Sequence, residues 1–215
     1  MVTIAIIALF VLVIATTWWG GLWGNFVTLI NFFIASLIAS SFYENVATKM
    51  ATKMPDYAAL MDFISLWMLF VISFVLLRIL TDSLGAYKLK FDKITELVGR
   101  SVLSVWIACL FVAFTTFSFH MAPFHPDDFQ SDPESATLGI GPDRMWLAFI
   151  QSRSRGALSA STASNSLVPK YWPSSLHPDD DGLENVRVFD PYAGFIDYYH
   201  AKRARLLSRN DFKED

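Results

Sequence analysis

The residues best suited to chemistry are two copies of the tetrapeptide His-Pro-Asp-Asp, at residues 125–128 and 177–180, the second followed by Asp181. Imidazole nitrogens and carboxylate oxygens bind divalent metal ions, so the two copies would form a metal site if they met in space. Pro-Asp-Asp is also an ordinary turn composition, and no further ligand pattern supports the pair. We therefore predict two turns, keep a metal site as the alternative, and assign no metal and no cofactor.

The sequence patterns of common catalytic sites are absent from the chain. It contains no Gly-x-Ser-x-Gly elbow, no His-Glu-x-x-His helix and no glycine-rich phosphate loop. His120 is the one histidine in an apolar run, and we interpret it as an interfacial side chain rather than a functional one. The single cysteine, Cys109, provides neither a disulfide framework nor a cysteine-based metal site. We predict a protein that is not an enzyme and has no catalytic residues.

Basic residues cluster in one stretch, Thr81 to Arg100, which separates two apolar runs. Each run is long enough to cross a bilayer, which needs about 20 apolar residues. A basic connector between two spans is normally cytoplasmic. The basic residues of this connector are Lys88, Lys90, Lys93 and Arg100. We interpret them as a solvated face near anionic lipid rather than a nucleotide or acidic-ligand site, and the net charge of −3 leaves no basic surface for nucleic acid.

Apolar residues within the connector recur every three or four positions, which predicts an amphipathic helix lying on the membrane surface. They are Leu84, Tyr87, Phe91, Ile94 and Val98.

The first apolar run has no charged residue from Val2 to Tyr43. As one helix it would reach roughly 60 Å, twice the thickness of the hydrocarbon core, so it must fold back once. The segment at residues 18–25 combines three glycines with three tryptophans and predicts a hinge at the headgroup level. Spans are therefore expected near residues 2–19 and 24–42. The N-terminus lacks a basic region and a cleavage site, so we predict a permanent span rather than a signal peptide.

Small residues along this first hairpin predict close packing of helices. Gly20 and Gly24 are spaced by four residues, with Gly21 between them, and Ala35 and Ala39 continue the pattern. Such faces usually pack helices within one bundle and in some proteins join two chains. A homo-oligomer therefore stays open.

The next segment contains a tandem repeat, Ala-Thr-Lys-Met at residues 47–50 and again at 51–54, followed by Pro55. It predicts either a short interfacial helix or an extension of the second span. Two further spans are expected near residues 61–80 and 101–121. The predicted fold is an all-α integral membrane protein, with four transmembrane helices and the amphipathic connector helix in a membrane domain at residues 1–121.

Residues 122–215 form a polar tail rich in Pro, Ser and Asp. We predict an extended linker, short helices near residues 143–153 and 191–206, and a flexible run at 158–166. The second helix has an Asp190-Pro191 start and an apolar face. That face consists of Tyr192, Phe195, Ile196 and Tyr199. The apolar content is thin for an independent core, so we expect the tail to dock on the membrane part, on a second copy, or on an envelope protein partner.

Charge on the two sides of the four spans predicts the orientation. The first and third connectors share a side and carry four basic residues, whereas the other side carries Lys49 and Lys53. Because basic residues favour the cytoplasmic face, we predict that both termini, and hence the tail, are extracytoplasmic.

Three short motifs resemble a known family. Gly21-Leu22 lies at the first turn, Ala35-x-x-x-Ala39-Ser40 lies in the second span, and Phe91-Asp92-Lys93 leads into Gly99 and the fourth span. In this order of four spans, the chain resembles the colicin V production protein (CvpA) family over roughly residues 1–121. The resemblance implies a small bacterial inner-membrane protein associated with toxin export and envelope homeostasis, and we expect such a non-enzymatic component. Two alternatives stay open: a small oligomeric transporter or channel, and a membrane scaffold that recruits a partner through its tail.

Overall fold

The computed structural model describes residues 2–84, 91–123, 139–154 and 194–209, and the regular elements in those ranges are all helices. Contacts divide the chain into two units, Met1–Ala122 and Pro123–Asp215. The helices of the first unit are α1 (Val2–Trp18), α2 (Gly21–Lys53), α3 (Ala58–Leu84) and α4 (Lys93–Met121). The second unit contains α5 (Pro142–Ser154) and α6 (Phe195–Arg209).

Three of these helices, α2, α3 and α4, are long and apolar enough to cross a membrane. They contain 33, 27 and 29 residues and are therefore about 50, 40 and 44 Å long. Helix α1 is also apolar but has only 17 residues, which corresponds to about 26 Å. The chain is thus an all-helical membrane protein in its described part.

Helix α2 is longer than the predicted span at residues 24–42. It continues through the tandem repeat to Lys53, where the backbone N–H of Met54 still donates to the carbonyl of Met50. Alanine, lysine and methionine all favour helices, and Pro55 then ends the run because it has no N–H to donate. A short 3₁₀ turn at Pro55–Tyr57 leads into α3. The repeat is therefore an extension of the second span.

The predicted separate connector helix is wrong. Phe91 and Asp92 are not helical, and Lys93 to Arg100 form the first turns of α4 instead. The Asp92 side chain accepts from the backbone N–H of Ile94 at 3.4 Å and caps this start. No proline follows to interrupt the helix before Met121, so the basic segment and the apolar span are continuous. Residues 85–90, and Tyr87 with them, lie outside the described residues.

The four helices of the first unit alternate in direction. Helix α2 makes its most extensive contacts with α3, and α4 packs mainly on α1 and α2. The end of α1, the start of α2, the end of α3 and the start of α4 therefore meet at one end of the bundle. We call this the turn end, because the α1–α2 turn at Trp19 and Gly20 lies there.

Aromatic rings fill the space between α2, α3 and α4 further along the bundle. The ring centres of Phe70 and Phe114 are 4.8 Å apart, and Phe32 lies 5.4 Å from Phe70. Trp67 joins the cluster at 5.5 Å from Phe114, and its indole N–H donates to Ser118 Oγ at 3.1 Å. Such edge and tilted contacts hold three helices together in an apolar core.

The second unit provides two described helices. Helix α6 buries Phe195, Ile196 and Tyr199, and Arg203 follows them, only 3 % exposed. Burial lowers the pKa of Arg203 from its ordinary value. The linker at the start of the tail, the serine-rich run and the Asp190-Pro191 start lie outside the described residues.

Candidate functional site

The turn between α1 and α2 is completed by a residue of α4. Gly20 occupies the N-cap position of α2 and has no side chain to cap the helix, while Gly21 adopts a left-handed conformation with φ of 71°. The Glu96 carboxylate caps α2 instead, because its Oε1 accepts a hydrogen bond from the backbone N–H of Leu22 at 2.8 Å. An acidic group at a helix N-terminus also interacts favourably with the helix dipole. This hydrogen bond therefore joins α4 to the first hairpin.

A second polar contact lies one turn deeper. Asn25, only 1 % exposed, donates from Nδ2 to Ser104 Oγ at 2.9 Å and to the carbonyl oxygen of Arg100 at 3.3 Å. Ser104 is fully buried. A methyl group on Gly20 would lie 2.8 Å from Asn25 Oδ1, so the glycine leaves room for this amide. The amide and hydroxyl thus satisfy each other where water is scarce.

Gly99 of α4 lies directly against the side chain of Leu22 on α2. A methyl group there would lie 2.6 Å from Leu22 Cδ1, well inside van der Waals contact. Gly24 differs from Gly99, because a methyl group on it would have no heavy atom within 4 Å. The described residues of one chain therefore place no helix in close contact with Gly24, and its role in packing stays a prediction.

The other predicted packing residues occupy two places. Gly20 and Gly21 form the turn itself, and Ala35 and Ala39 are fully buried on α2. Ser36 and Ser40 beside them are buried as well. These small residues pack inside the bundle of one chain, so this face of α2 is not free to join a second copy.

Polar contacts also join α2 to α3 at the turn end. Arg78 donates from Nη1 to Thr28 Oγ1 at 3.0 Å and forms an ion pair with Asp82 at 2.9 Å. Asn31, buried on α2, donates to Thr81 Oγ1 at 3.0 Å. Every long helix therefore contributes polar side chains to this end of the bundle.

Arg100 has a different environment from Arg78. Its guanidinium carbon lies 4.7 Å from the centre of the Trp18 ring, a cation–π contact. Its Nε is shielded from solvent and has no hydrogen-bond partner among the described residues. Glu96 lies one turn earlier on α4, but its Oε1 accepts from Leu22 rather than from Arg100.

The remaining members of the predicted basic connector are separated from one another. Lys93 is exposed in the first turn of α4, two turns before Arg100. Lys88 and Lys90 lie outside the described residues. The structure therefore places Arg100 in a defined contact and leaves Lys93 exposed.

The described residues contain no group of three or more His, Cys, Asp or Glu side chains that could hold a metal ion. Both His-Pro-Asp-Asp segments fall outside those ranges. His120 lies near the end of α4 and is fully buried within the protein.

Residue spacing did not reveal the polar residues that join the helices, above all Glu96, Asn25 and Ser104. A signal existed, because an asparagine inside an uncharged run is costly in a membrane unless another helix satisfies it. Comparison with known proteins adds nothing to this geometry: no protein-family model, no curated protein and no solved structure matches the chain.

Proposed function

We propose that the chain is a four-span inner-membrane protein of the CvpA type that acts as a non-enzymatic component of envelope homeostasis or toxin secretion. The family assignment rests on the sequence resemblance. The observation that carries the proposal is the use of polar groups at the turn end. Glu96, Asn25 and Ser104 are engaged with other helices rather than directed at a substrate. Their role is assembly of the bundle.

Helix α1 is the fourth span in this proposal. Its length of about 26 Å is slightly less than the hydrocarbon core of about 30 Å, and a bilayer accommodates such a difference by local thinning. Trp18 and Trp19 at its end suit the headgroup level, where tryptophan is enriched. Exposed apolar side chains along α1, such as Ile4, Val11 and Leu12, then face lipid. With α1 inserted, the basic residues of the turn end are cytoplasmic and the tail is extracytoplasmic.

A role in the envelope is favoured over solute transport by the aromatic cluster. Rings of Phe32, Phe70 and Phe114 occupy the space between α2, α3 and α4, so a passage for solute would have to form between copies. The small residues Ala35, Ser36, Ala39 and Ser40 of α2, a face that would otherwise be available to join copies, are buried within one chain.

A complementation experiment tests the proposed function. The chain is expressed in a bacterium deleted for its own CvpA-family gene, and growth is measured in the presence of detergent and bile salts. We expect wild-type chain to restore growth to the level of the host's own protein. Chain carrying Gly24→Ala, a change in open space, should restore growth equally. Membrane insertion is checked in the same cells by resistance of the protein to carbonate extraction.

Failure to restore growth by a protein that is firmly inserted contradicts the envelope role. Purified protein in liposomes then distinguishes the alternative, because a transporter or channel would release trapped ions or small solutes and the proposed component would not.

A further inference from the structure

Among the described residues, no carboxylate pairs with one of the two arginines at the turn end. Two arginines lie there, and Arg78 has both an acidic partner, Asp82, and a hydroxyl partner, Thr28. Arg100 is half-buried and has neither, since within the described residues no carboxylate pairs with it and its Nε is unpartnered. A guanidinium in a region of low water content is costly unless an anion or acceptor meets it. An anion from outside the chain would neutralise the charge by contacting the accessible part of this half-buried residue, since Nε itself is shielded.

The ring beneath Arg100 also borders an apolar groove. Trp18 stacks on the guanidinium and lines a shallow groove of about 350 Å³ on the surface of α1. The other lining residues are Val11, Ile14, Ala15 and Trp19. Trp19 is 88 % exposed and lies at the end of α1, where the groove reaches the turn. A positive group and an apolar groove therefore share one tryptophan.

We propose that this place binds an anionic phospholipid, with its phosphate on the Arg100 guanidinium and one acyl chain along the α1 groove. The charge is complementary, because a guanidinium presents several donors in a planar arrangement that suits phosphate. The position is also complementary, because tryptophans mark the headgroup level and the groove runs from there along the apolar helix. The inference rests on the membrane location of the chain but not on its envelope role.

The geometry separates this site from general attraction of lipid to basic residues. Lys93 is on the same face of α4 as Arg100, seven residues and about 10 Å earlier, but it is exposed. General attraction would depend on both charges alike. A defined site depends on Arg100, on Trp18 beneath it and on the open groove.

Native mass spectrometry of the detergent-solubilised full chain tests the proposal. Phosphatidylglycerol and phosphatidylcholine with identical acyl chains are titrated against wild-type protein and against Arg100→Gln, Lys93→Gln and Trp18→Leu. We expect wild-type protein to retain phosphatidylglycerol in preference to phosphatidylcholine. Arg100→Gln should weaken that retention by at least about fivefold, Lys93→Gln should leave it nearly unchanged, and Trp18→Leu should weaken it without removing a charge.

Three further measurements test the groove, the contribution of the acyl chain and the fold of the variants. Ala15→Trp fills the groove while Arg100 stays in place, and it should also reduce retention. Free glycerol phosphate at the same concentration should not compete, because it has no acyl chain. Circular dichroism of each variant establishes that its helix content matches that of the wild type.

If wild-type protein and Arg100→Gln retained phosphatidylglycerol equally, the proposed site would be contradicted. It would also be contradicted if Lys93→Gln lost as much retention as Arg100→Gln. Competition by glycerol phosphate overturns the acyl-chain half of the proposal. A chain released by carbonate extraction would contradict the membrane location itself, which is a different result from an inserted chain with no lipid preference.

Discussion

The carboxylate of Glu96 lies 2.8 Å from the backbone nitrogen of Leu22, so a side chain of α4 caps the N-terminus of α2. Glycine occupies the cap position and cannot do this itself. The contact joins segments 74 residues apart in the chain. It explains why a charged residue is placed at the turn end, and it can be tested by substitution.

Replacing Glu96 by alanine should destabilise the bundle. Loss of a helix cap costs about 0.5 to 2 kcal/mol, and Glu96→Gln should lose less because its amide oxygen still accepts from Leu22. The measurement is the free energy of unfolding in one detergent, with Lys93→Ala as a control at an exposed position of the same helix. If Glu96→Ala and Lys93→Ala were equally stable, the cap would contribute nothing.

The hydrogen bond between Asn25 and Ser104 should show a measurable coupling energy. Interhelical hydrogen bonds in membrane proteins average about 0.6 kcal/mol and reach about 1.7 kcal/mol. Asn25 also donates to the Arg100 carbonyl, so Asn25→Ala should cost more than Ser104→Ala. A double-mutant cycle with both variants and their combination gives the pairwise energy. Additive effects of the two changes would show that the pair is not coupled.

The variants Gly24→Ala and Gly99→Ala should differ in their effect on the stability of the bundle. Gly24→Ala is expected to be neutral or to stabilise by up to about 1 kcal/mol, because the methyl group meets nothing and alanine favours the helix. Gly99→Ala places a methyl group against the end of the Leu22 side chain, which must move, so we expect Gly99→Ala to be less stable than Gly24→Ala. Thermal unfolding of both variants in the same detergent provides the comparison. Equal melting temperatures would contradict the close approach of α2 and α4.

The orientation should follow the basic residues of the turn end. We expect a fusion of alkaline phosphatase after Asp215 to be active and a fusion of green fluorescent protein to be dark, because both termini are proposed to be extracytoplasmic. Changing Lys93 and Arg100 together to glutamine should increase the fraction of inverted molecules, since each basic residue near an anionic leaflet contributes about 1 kcal/mol. Bright fluorescence with inactive phosphatase would reverse the assignment.

The long apolar helices and the position of the first turn could be predicted because both depend on local features. An uncharged run of that length must fold back, and Gly20 and Gly21 offer the place where it can. The limits of α2 and α4 were harder to predict. Lys49, Lys53 and Lys93 suggest membrane boundaries, but a helix does not end where the membrane does. Helix α2 continues to Lys53, just before Pro55, and α4 begins at Lys93, directly after its cap Asp92.

The polar contacts could not be predicted because their partners are remote in sequence. Glu96 and Arg100 are four residues apart on one helix, a spacing that favours a local ion pair. Instead, the Glu96 carboxylate accepts a hydrogen bond from the backbone N–H of Leu22. Likewise, the spacing of Gly24 from Gly20 predicts a small-residue face but carries no information about what lies opposite it. Both outcomes depend on the packing of α4 against the first hairpin.

The long separation between Leu22 and Glu96 has a consequence for biogenesis. Because Leu22 precedes Glu96 by 74 residues, the first hairpin is synthesised while the glycine-rich turn still lacks its carboxylate. Until Glu96 arrives, the free amide of Leu22 must be hydrated or must contact headgroups. Arrival of the last apolar helix then dehydrates that amide and fixes the hairpin. The turn therefore differs between a half-made chain and a finished one, because the amide of Leu22 gains its cap only after Glu96 has been synthesised.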